Sequence, residues 1–340
     1  MNEANRRFYA EHPPLEAFRT SMVSADLLVA PFLALLETLA TPDGDEPLAF
    51  VDVGAGDGRL AAALLERLEA DRPSWAHRVS IQCIDLRPRP AALDARITWT
   101  QRDATAGLSA PIVGIVVAHE WLDDLGIDRF LRRDGALVEV DADGRERSVD
   151  RNDDRIAWCD RWWPDGEVIE VGVRRDAAWA SLARQVRSGF AIAIDYGHTI
   201  DQRPSDDTIA AFAGGRSAEQ ALDGTVNVTA HVAMDACAAA VIASGDCDTA
   251  LLMQSLALAP FAPQWGNDAG PRGQLLRAAS RTRFNELVAT DGLGAHRWLV
   301  HAFDVPLPES WSGGLVTREG PSPSTADQGA ALPGVEASGP

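Results

Sequence analysis

The sequence contains no lysine: all 31 of its basic side chains are arginines, set against 50 aspartates and glutamates. That absence excludes whole reaction classes. A P-loop grips phosphate with a lysine, a pyridoxal enzyme stores its cofactor as a lysine Schiff base, and a Ser-Lys hydrolase uses lysine as its base. Cysteine is also scarce. Cys83, Cys159, Cys237 and Cys247 form no CxxC pair and show no disulfide spacing, so a reducing compartment is expected, with no structural metal. The first residues, MNEANRRFYAEHPP, lack the apolar core of a secretion signal. The longest apolar stretch, 22–40, is interrupted by Asp26, Pro31 and Glu37, which fits an amphipathic segment better than a membrane span. A cytoplasmic chain with no membrane partner is the expectation.

What is present suffices for a large core: 340 residues, 46% of them hydrophobic, as one large domain or two smaller ones. The formal net charge of −19 repels phosphate backbones and anionic lipid, so nucleic acid is excluded as a partner, whereas a cationic substrate is attracted. The same charge also serves plain solubility.

Residues 25–40 place Leu28, Phe32, Leu35, Leu36 and Leu39 on one helical stripe, with Pro31 marking a start or kink. Leu48 to Val53 then reads as a strand ending in glycines, followed by Leu60, Leu64, Leu65 and Leu68 at helical spacing. Val79–Ile84 and Ile112–Val117 read as further strands. Strands alternating with helices predict a doubly wound α/β sheet. The alternation lapses over 127–175. There Ala136–Val140 and Arg145–Val149 flank Asp141-Ala142-Asp143-Gly144 as a hairpin, with Glu167–Val173 a possible third strand, so a β-rich insertion is expected. The pattern resumes with helices near 176–187, 231–243 and 272–290 and with strands Phe190–Ile194 and Arg297–Phe303. The reading therefore divides the chain into an N-terminal helical segment (1–45), an α/β core (46–126 and 176–305), the insertion (127–175) and a tail (306–340) whose Gly, Ser, Pro and Ala content predicts disorder.

The sharpest local signal is Phe50-Val51-Asp52-Val53-Gly54-Ala55-Gly56-Asp57-Gly58-Arg59-Leu60. Gly54, Gly56 and Gly58 fall where a strand turns into a helix, so the backbone can approach a ligand closely. A dinucleotide fingerprint reads GxGxxG and offers a helix N-terminus to pyrophosphate. Here the spacing is GxGxG, and Asp52 and Asp57 would repel a pyrophosphate but suit a ligand carrying an amine and a sulfonium. The segment resembles the S-adenosylmethionine turn of class I methyltransferases. In that class the acid ending the second strand, here Asp85, accepts both ribose hydroxyls. An acid before the next strand, here Asp103, lies near the adenine amine, although a solvated loop carboxylate reads equally well there. His119-Glu120-Trp121-Leu122-Asp123-Asp124 follows an apolar strand at the carboxyl edge of the sheet, where open α/β folds bind ligands. It can hold an acceptor, or Asp123 or Asp124 can cap a helix.

Taken in order, AEHPPLEAFRTS, VDVGAGDGRLAAALL, VVAHEWLDDLGIDRF, AIAIDYG, DDTIAAF and GTVNVTAHV resemble the MidA-like family of S-adenosylmethionine-dependent methyltransferases, from about residue 8 to 303. Its mitochondrial members methylate an arginine of a respiratory complex I subunit and support assembly of that complex. The resemblance implies a class I, Rossmann-like methyltransferase fold and S-adenosyl-L-methionine as cofactor. The family's Phe-x-Thr-Ser falls on Phe18, Thr20 and Ser21, which would fold over the cofactor. Its Glu after the second strand is replaced by Asp85, its Asn-Glu pair by His119-Glu120, and an acid near the end by Asn227. Its Ile-Asp-Tyr-Gly falls on Ile194, Asp195, Tyr196 and Gly197.

Methyl transfer is an in-line displacement for which the protein supplies position and charge. Glu120 is the candidate to pair with an acceptor guanidinium, with Asp123 or Asp128 as a second acid and His119 as a base. Trp121, Asp195 and Tyr196 are candidate substrate contacts. The last two read equally as a strand-end cap and a packed aromatic. Three functions follow: a protein arginine methyltransferase, with the insertion shaping a polypeptide groove; a small-molecule O- or N-methyltransferase; and a non-catalytic, cofactor-binding assembly factor.

Overall fold

A computed structural model describes residues 2–11, 20–40, 47–141, 144–214, 216–263, 270–314 and 316. Strand β1 (Leu48–Val53) is buried at all six positions. Its side chains divide between the two faces of the sheet as a two-residue period demands: Leu48 and Phe50 enter one core cluster, Ala49, Val51 and Val53 the other. Helix α1 (Asn2–Glu11) and helix α2 (Ala25–Leu39) precede it, and α3 (Arg59–Asp71) follows its glycine turn. Next come β2 (Val79–Asp85), the short β3 (Thr98–Gln101) and β4 (Ile112–His119). Parallel pairing puts β1 between β2 and β4, with Asp52 opposite Cys83 on one side and Val117 on the other. Strand order reverses at β1, so the carboxyl ends of β1 and β4 frame the crevice where doubly wound sheets bind ligands.

The insertion is a separate antiparallel sheet of β5 (Asp128–Arg133), β6 (Ala136–Val140), β7 (Glu146–Ser148) and β8 (Val168–Val171), in the order β7-β6-β5-β8. Helix α4 (Asp154–Trp162) closes its apolar side, where Phe130, Trp158, Trp162, Trp163 and Ile169 pack together. The main chain then returns through α5 (Val173–Ala183) to β9 (Val186–Asp195), which lies beside β4. After β9 come the short strands β10 (Gly197–His198), β11 (Ala210–Ala213), β12 (Arg216–Ser217), β13 (Asn227–Thr229) and β14 (Val232–Ala233). Helix α6 (Met234–Ile242), β15 (Asp248–Met253), α7 (Gln254–Leu258), α8 (Pro271–Val288) and β16 (Arg297–Phe303) follow. The seven-stranded sheet runs β15-β16-β9-β4-β1-β2-β3, with β16 antiparallel to both neighbours. This is the doubly wound, Rossmann-like α/β fold.

Residues Ser21–Leu39 are long and apolar enough to cross a membrane. In the fold, Leu28, Val29, Phe32 and Leu36 are fully buried in the core. Phe32 stacks on Trp298 with centroids 5.6 Å apart. Trp311, also fully buried, packs edge-on against Trp298 at 5.9 Å. The chain expected to be disordered from residue 306 is thus ordered through a short helix, Glu309–Gly314, because one large aromatic group anchors it; 317–340 lie outside the described residues. Strands β3, β5 and β15 carry too weak an apolar alternation to be read from sequence: β5, for example, is Asp-Arg-Phe-Leu-Arg-Arg.

At the centre of the sheet, Gly114 on β4 takes φ +143° and Gly189 on β9 +125°. A Cβ built on Gly114 would fall 1.9 Å from the Ala49 carbonyl oxygen. Gly114→Ala is therefore expected to destabilise the fold by about 3 kcal/mol or more, measured by urea unfolding, whereas Gly144→Ala in the β6–β7 turn, where a Cβ meets open space, costs only the strain of its positive φ.

Candidate functional site

The carboxyl ends of β1, β2 and β4 and the helix α1 enclose a cavity of about 210 Å³. Its floor is the glycine turn. Gly54, Gly56 and Gly58 all have positive φ, and a Cβ on Gly54 would stand 2.5 Å from the Trp121 ring. Gly54 and Gly56 line the cavity; Gly58 instead forms the N-cap of α3 and packs on Leu93. Asp85, at the end of β2, accepts the Gly56 N–H at 2.8 Å through one oxygen and the Arg87 N–H at 2.8 Å through the other. It thereby joins the two turns that flank the cavity.

Asp52 and Asp103 also line the cavity. Asp52 is 3% exposed, and its Oδ2 has no hydrogen-bond partner among the described residues. Burial, then the charges of Asp85 and Asp57, push its pKa up to about 8. Asp103 accepts the Thr105 N–H at 2.9 Å and hydroxyl at 2.7 Å and pairs with Arg6 of α1. Burial raises its pKa, but these donors outweigh it and hold the carboxyl below the ordinary range.

At the end of β4, Glu120 adopts φ +49°, a left-handed conformation costing about 1–3 kcal/mol for a residue with a Cβ. Its N–H donates to the Ile194 carbonyl at 2.8 Å, so β9 supports the kink. The carboxylate accepts the backbone N–H and the hydroxyl of Ser21 at 3.3 and 3.1 Å, and lies 3.2 Å from His296 Nε2. Burial alone would raise the Glu120 pKa; His119 and His296 more than offset it and hold it at about 2. His119 Nε2 is 2.9 Å from the Ser21 hydroxyl, and burial pushes its pKa down to about 4. Burial works against charge on His296 too, yet its contacts with Glu120 prevail and raise its pKa.

Of the other expected residues, Thr20, His119, Glu120 and Trp121 line the cavity. Ser21 stands behind Glu120, while Phe18 lies outside the described residues. Asp195 is fully buried and is not among the lining residues. Its Oδ2 accepts the N–H groups of Trp121, Leu122 and Asp123 at 3.2, 2.9 and 3.3 Å. It is the strand-end cap of the two readings, not a substrate contact, because its oxygen is consumed in shaping the turn. Tyr196 packs on His296 with ring centroids 3.9 Å apart, so the packed-aromatic reading describes it. Asp123 is 5% exposed, and burial followed by the Glu120 charge pushes its pKa up to about 6. It too is absent from the lining, and Asp128 is engaged with Arg155 and Arg174 in the inserted sheet.

The acid that lines the cavity beside Glu120 is Asp124. Sequence reasoning also missed Asn5, Arg6 and Tyr9 of α1, which form the roof. Asn5 donates to the carbonyls of Val228 at 2.7 Å and Asp124 at 3.1 Å, and accepts the Val228 N–H at 2.9 Å. The signal lay in the spacing: Asn5 and Tyr9 are one helical turn apart on the face that also buries Phe8.

Asp52 gives the site a testable pH signature. An unfolded aspartate releases its proton near pH 4, whereas the native group holds it until about 8. The native state thus binds more protons over that window, and its contribution to stability falls as pH rises from 4 through 8. Asp52→Asn is expected to melt several degrees above the wild type at pH 8.5, with the gap closing toward pH 4, measured by calorimetric scans across pH.

Against known proteins, a family model described as "Putative S-adenosyl-L-methionine-dependent methyltransferase" matches residues 27–252. A crystal structure of a candidate methyl transferase from Burkholderia thailandensis, bound to S-adenosyl-homocysteine, superposes with a TM-score of 0.69 at 19% identity, over 88% of this chain and 83% of that one. A native structure of an uncharacterized protein of the same superfamily and organism gives 0.68 at 18%, over 87% and 83%. At such identities these structures speak to the fold alone. No curated protein matches the sequence. The family model, however, covers well over half of the chain, including the glycine turn, Asp85, Asp103 and Glu120. The chain belongs to this family of S-adenosyl-L-methionine-dependent methyltransferases.

Proposed function

We propose that the chain methylates a protein side chain, the guanidinium of an arginine, as the MidA-like resemblance implies. The observation that carries this reading is Glu120: a buried carboxylate, held ionised at about 2, on a strained turn in the cavity wall. A carboxyl with so low a pKa is a poor general base and a good fixed anchor for a cation. Asp124, four residues on, adds a second acid to the same wall. The cavity's residues also fit the cofactor. Gly54 and Gly56 leave its floor free of side chains, Asp85 ends β2, and the unpartnered Asp52 oxygen answers to a cationic group. S-adenosylmethionine, when bound, supplies an electrophilic methyl group on a positively charged sulfur.

In this reading Asp85, Asp103 and Thr20 hold the cofactor's polar groups, and Glu120 orients the guanidinium so that one nitrogen faces the methyl group. Trp121 and α1 exclude water. The strongly negative surface would draw in a basic segment of the partner protein. We place the protein in the cytoplasm, acting on a protein and not on nucleic acid or membrane. The neutral imidazole of His119 also favours a second reading, in which it deprotonates a small amine or hydroxyl acceptor.

Incubation with radiolabelled methyl donor and a cell lysate separates the two. Label is expected in protein, recovered as methylarginine after hydrolysis; label confined to small molecules would overturn the arginine reading. Glu120→Gln keeps the shape and removes the charge, and is expected to lower turnover by about a hundredfold, read as labelled protein per unit time. Turnover equal to the wild type would remove Glu120 from the mechanism.

A further inference from the structure

Behind the cavity, hydrogen bonds join Ser21 to Glu120 and to His119, and His296 approaches Glu120 as an ion pair. The Leu293 carbonyl can only accept, so His296 Nδ1, at 2.7 Å from it, carries a proton. His296 Nε2 lies 3.2 Å from Glu120 Oε1, an ion-pair approach without hydrogen-bond geometry. A bare nitrogen lone pair there would be repelled by the carboxylate, so this nitrogen is protonated as well and His296 is an imidazolium. The Tyr196 ring covers it, as aromatic faces cover cations. The anionic Glu120 carboxylate is a stronger acceptor than a neutral imidazole, so it draws the single Ser21 hydroxyl proton, and the same oxygen then accepts from His119 Nε2. His119 is therefore the neutral Nε2–H tautomer. Its Nδ1 is a lone pair with no hydrogen-bond partner among the described residues, 3.8 Å from Glu120 Oε1 and so beyond hydrogen-bond reach of it, on a side chain that lines the cavity and is nine-tenths buried.

We propose that His119 Nδ1 takes the proton released by the methyl acceptor, and that Ser21 and His296 are positioning residues that fix its tautomer. The inference rests on the reading of this cavity as the acceptor's site. The acceptor nitrogen forms a bond to the methyl carbon as the carbon–sulfur bond breaks and its electrons leave with sulfur. One N–H proton of the acceptor then passes to Nδ1, giving an imidazolium that still donates through Nε2 to Ser21. A guanidinium methylated while still cationic carries a very acidic proton, so a weakly basic imidazole suffices to take it. The ionisable groups facing His119 are Glu120, which raises its basicity, and His296, which lowers it.

Nitrogen NMR of histidine-labelled, full-length protein with S-adenosyl-homocysteine reads the tautomers without any acceptor. At pH 7 His119 is expected to be protonated on Nε2 alone and His296 on both nitrogens. A His119 proton on Nδ1, or a neutral His296, overturns the proposal whether or not methylation is seen. In the labelling assay, His119→Gln keeps a nitrogen donor for Ser21 but has no base, and is expected to lose about a hundredfold or more in turnover; wild-type turnover overturns the proposal. His296→Gln is expected to move the acid limb of the pH profile toward neutrality, because His119 loses its neighbouring cation; an unmoved limb overturns the positioning role. Calorimetry with S-adenosyl-homocysteine runs beside these measurements. If the wild type fails to bind it, the functional reading falls, and the tautomer measurement still decides the relay.

Discussion

The buried guanidinium of Arg175 holds together what the cavity needs. It is 1% exposed and donates five hydrogen bonds to four backbone carbonyls, those of Asp123, Leu125, Ala230 and His231. One side chain thereby ties the turn after β4, which carries the cavity acids, to the segment beyond β13. Asp195 works on the same turn from the other direction, drawing three consecutive N–H groups onto one oxygen. A planar cation that accepts nothing and a carboxylate that donates nothing are the complementary tools for a loop whose carbonyls and amides cannot pair with each other. Arg175 also acts by charge, lowering the pKa of Asp123 and of Asp195 against the burial that pushes both toward neutrality.

Those acids divide by their surroundings and not by residue type. Burial pushes the Glu120 pKa up, but His119, His296 and a Thr20 hydrogen bond more than offset it and keep the group ionised. Asp52, with an unpartnered oxygen and acidic neighbours, is held protonated in neutral solution. The cavity therefore combines a fixed negative charge with one that can be called up when a cation arrives. Divergent pKa values in one site are a recurring device for assigning chemical roles.

Legibility in the sequence followed from range. The glycine turn, Asp85 and Asp103 could be read because a strand, a turn and a helix lie consecutively, and β1 is a short apolar run that ends in glycines. Glu120 could be read because charge directly after an apolar strand has little other explanation. His296 could not: it stands in an unremarkable Gly-Ala-His-Arg stretch far along the chain from the acid it pairs with, and only the antiparallel docking of β16 against β9 brings it there. Asp195 was ambiguous for the same reason, since cap and ligand carboxylates look alike until the amides around them are placed. Asn5 and Tyr9 belong to a helix whose partner strand is formed by residues 227–229.

That last pairing sets an order of events. Asn5 bonds to Val228, 223 positions further along the chain. At about 5–20 residues per second of synthesis, the first helix waits some ten to forty-five seconds, by that rough figure, before its docking strand exists. The glycine turn and β2, made early, can be in place long before the roof above them. The nascent protein thus passes through a stage with an open, unroofed crevice, and its closure reports that the polypeptide has been made at least as far as β13.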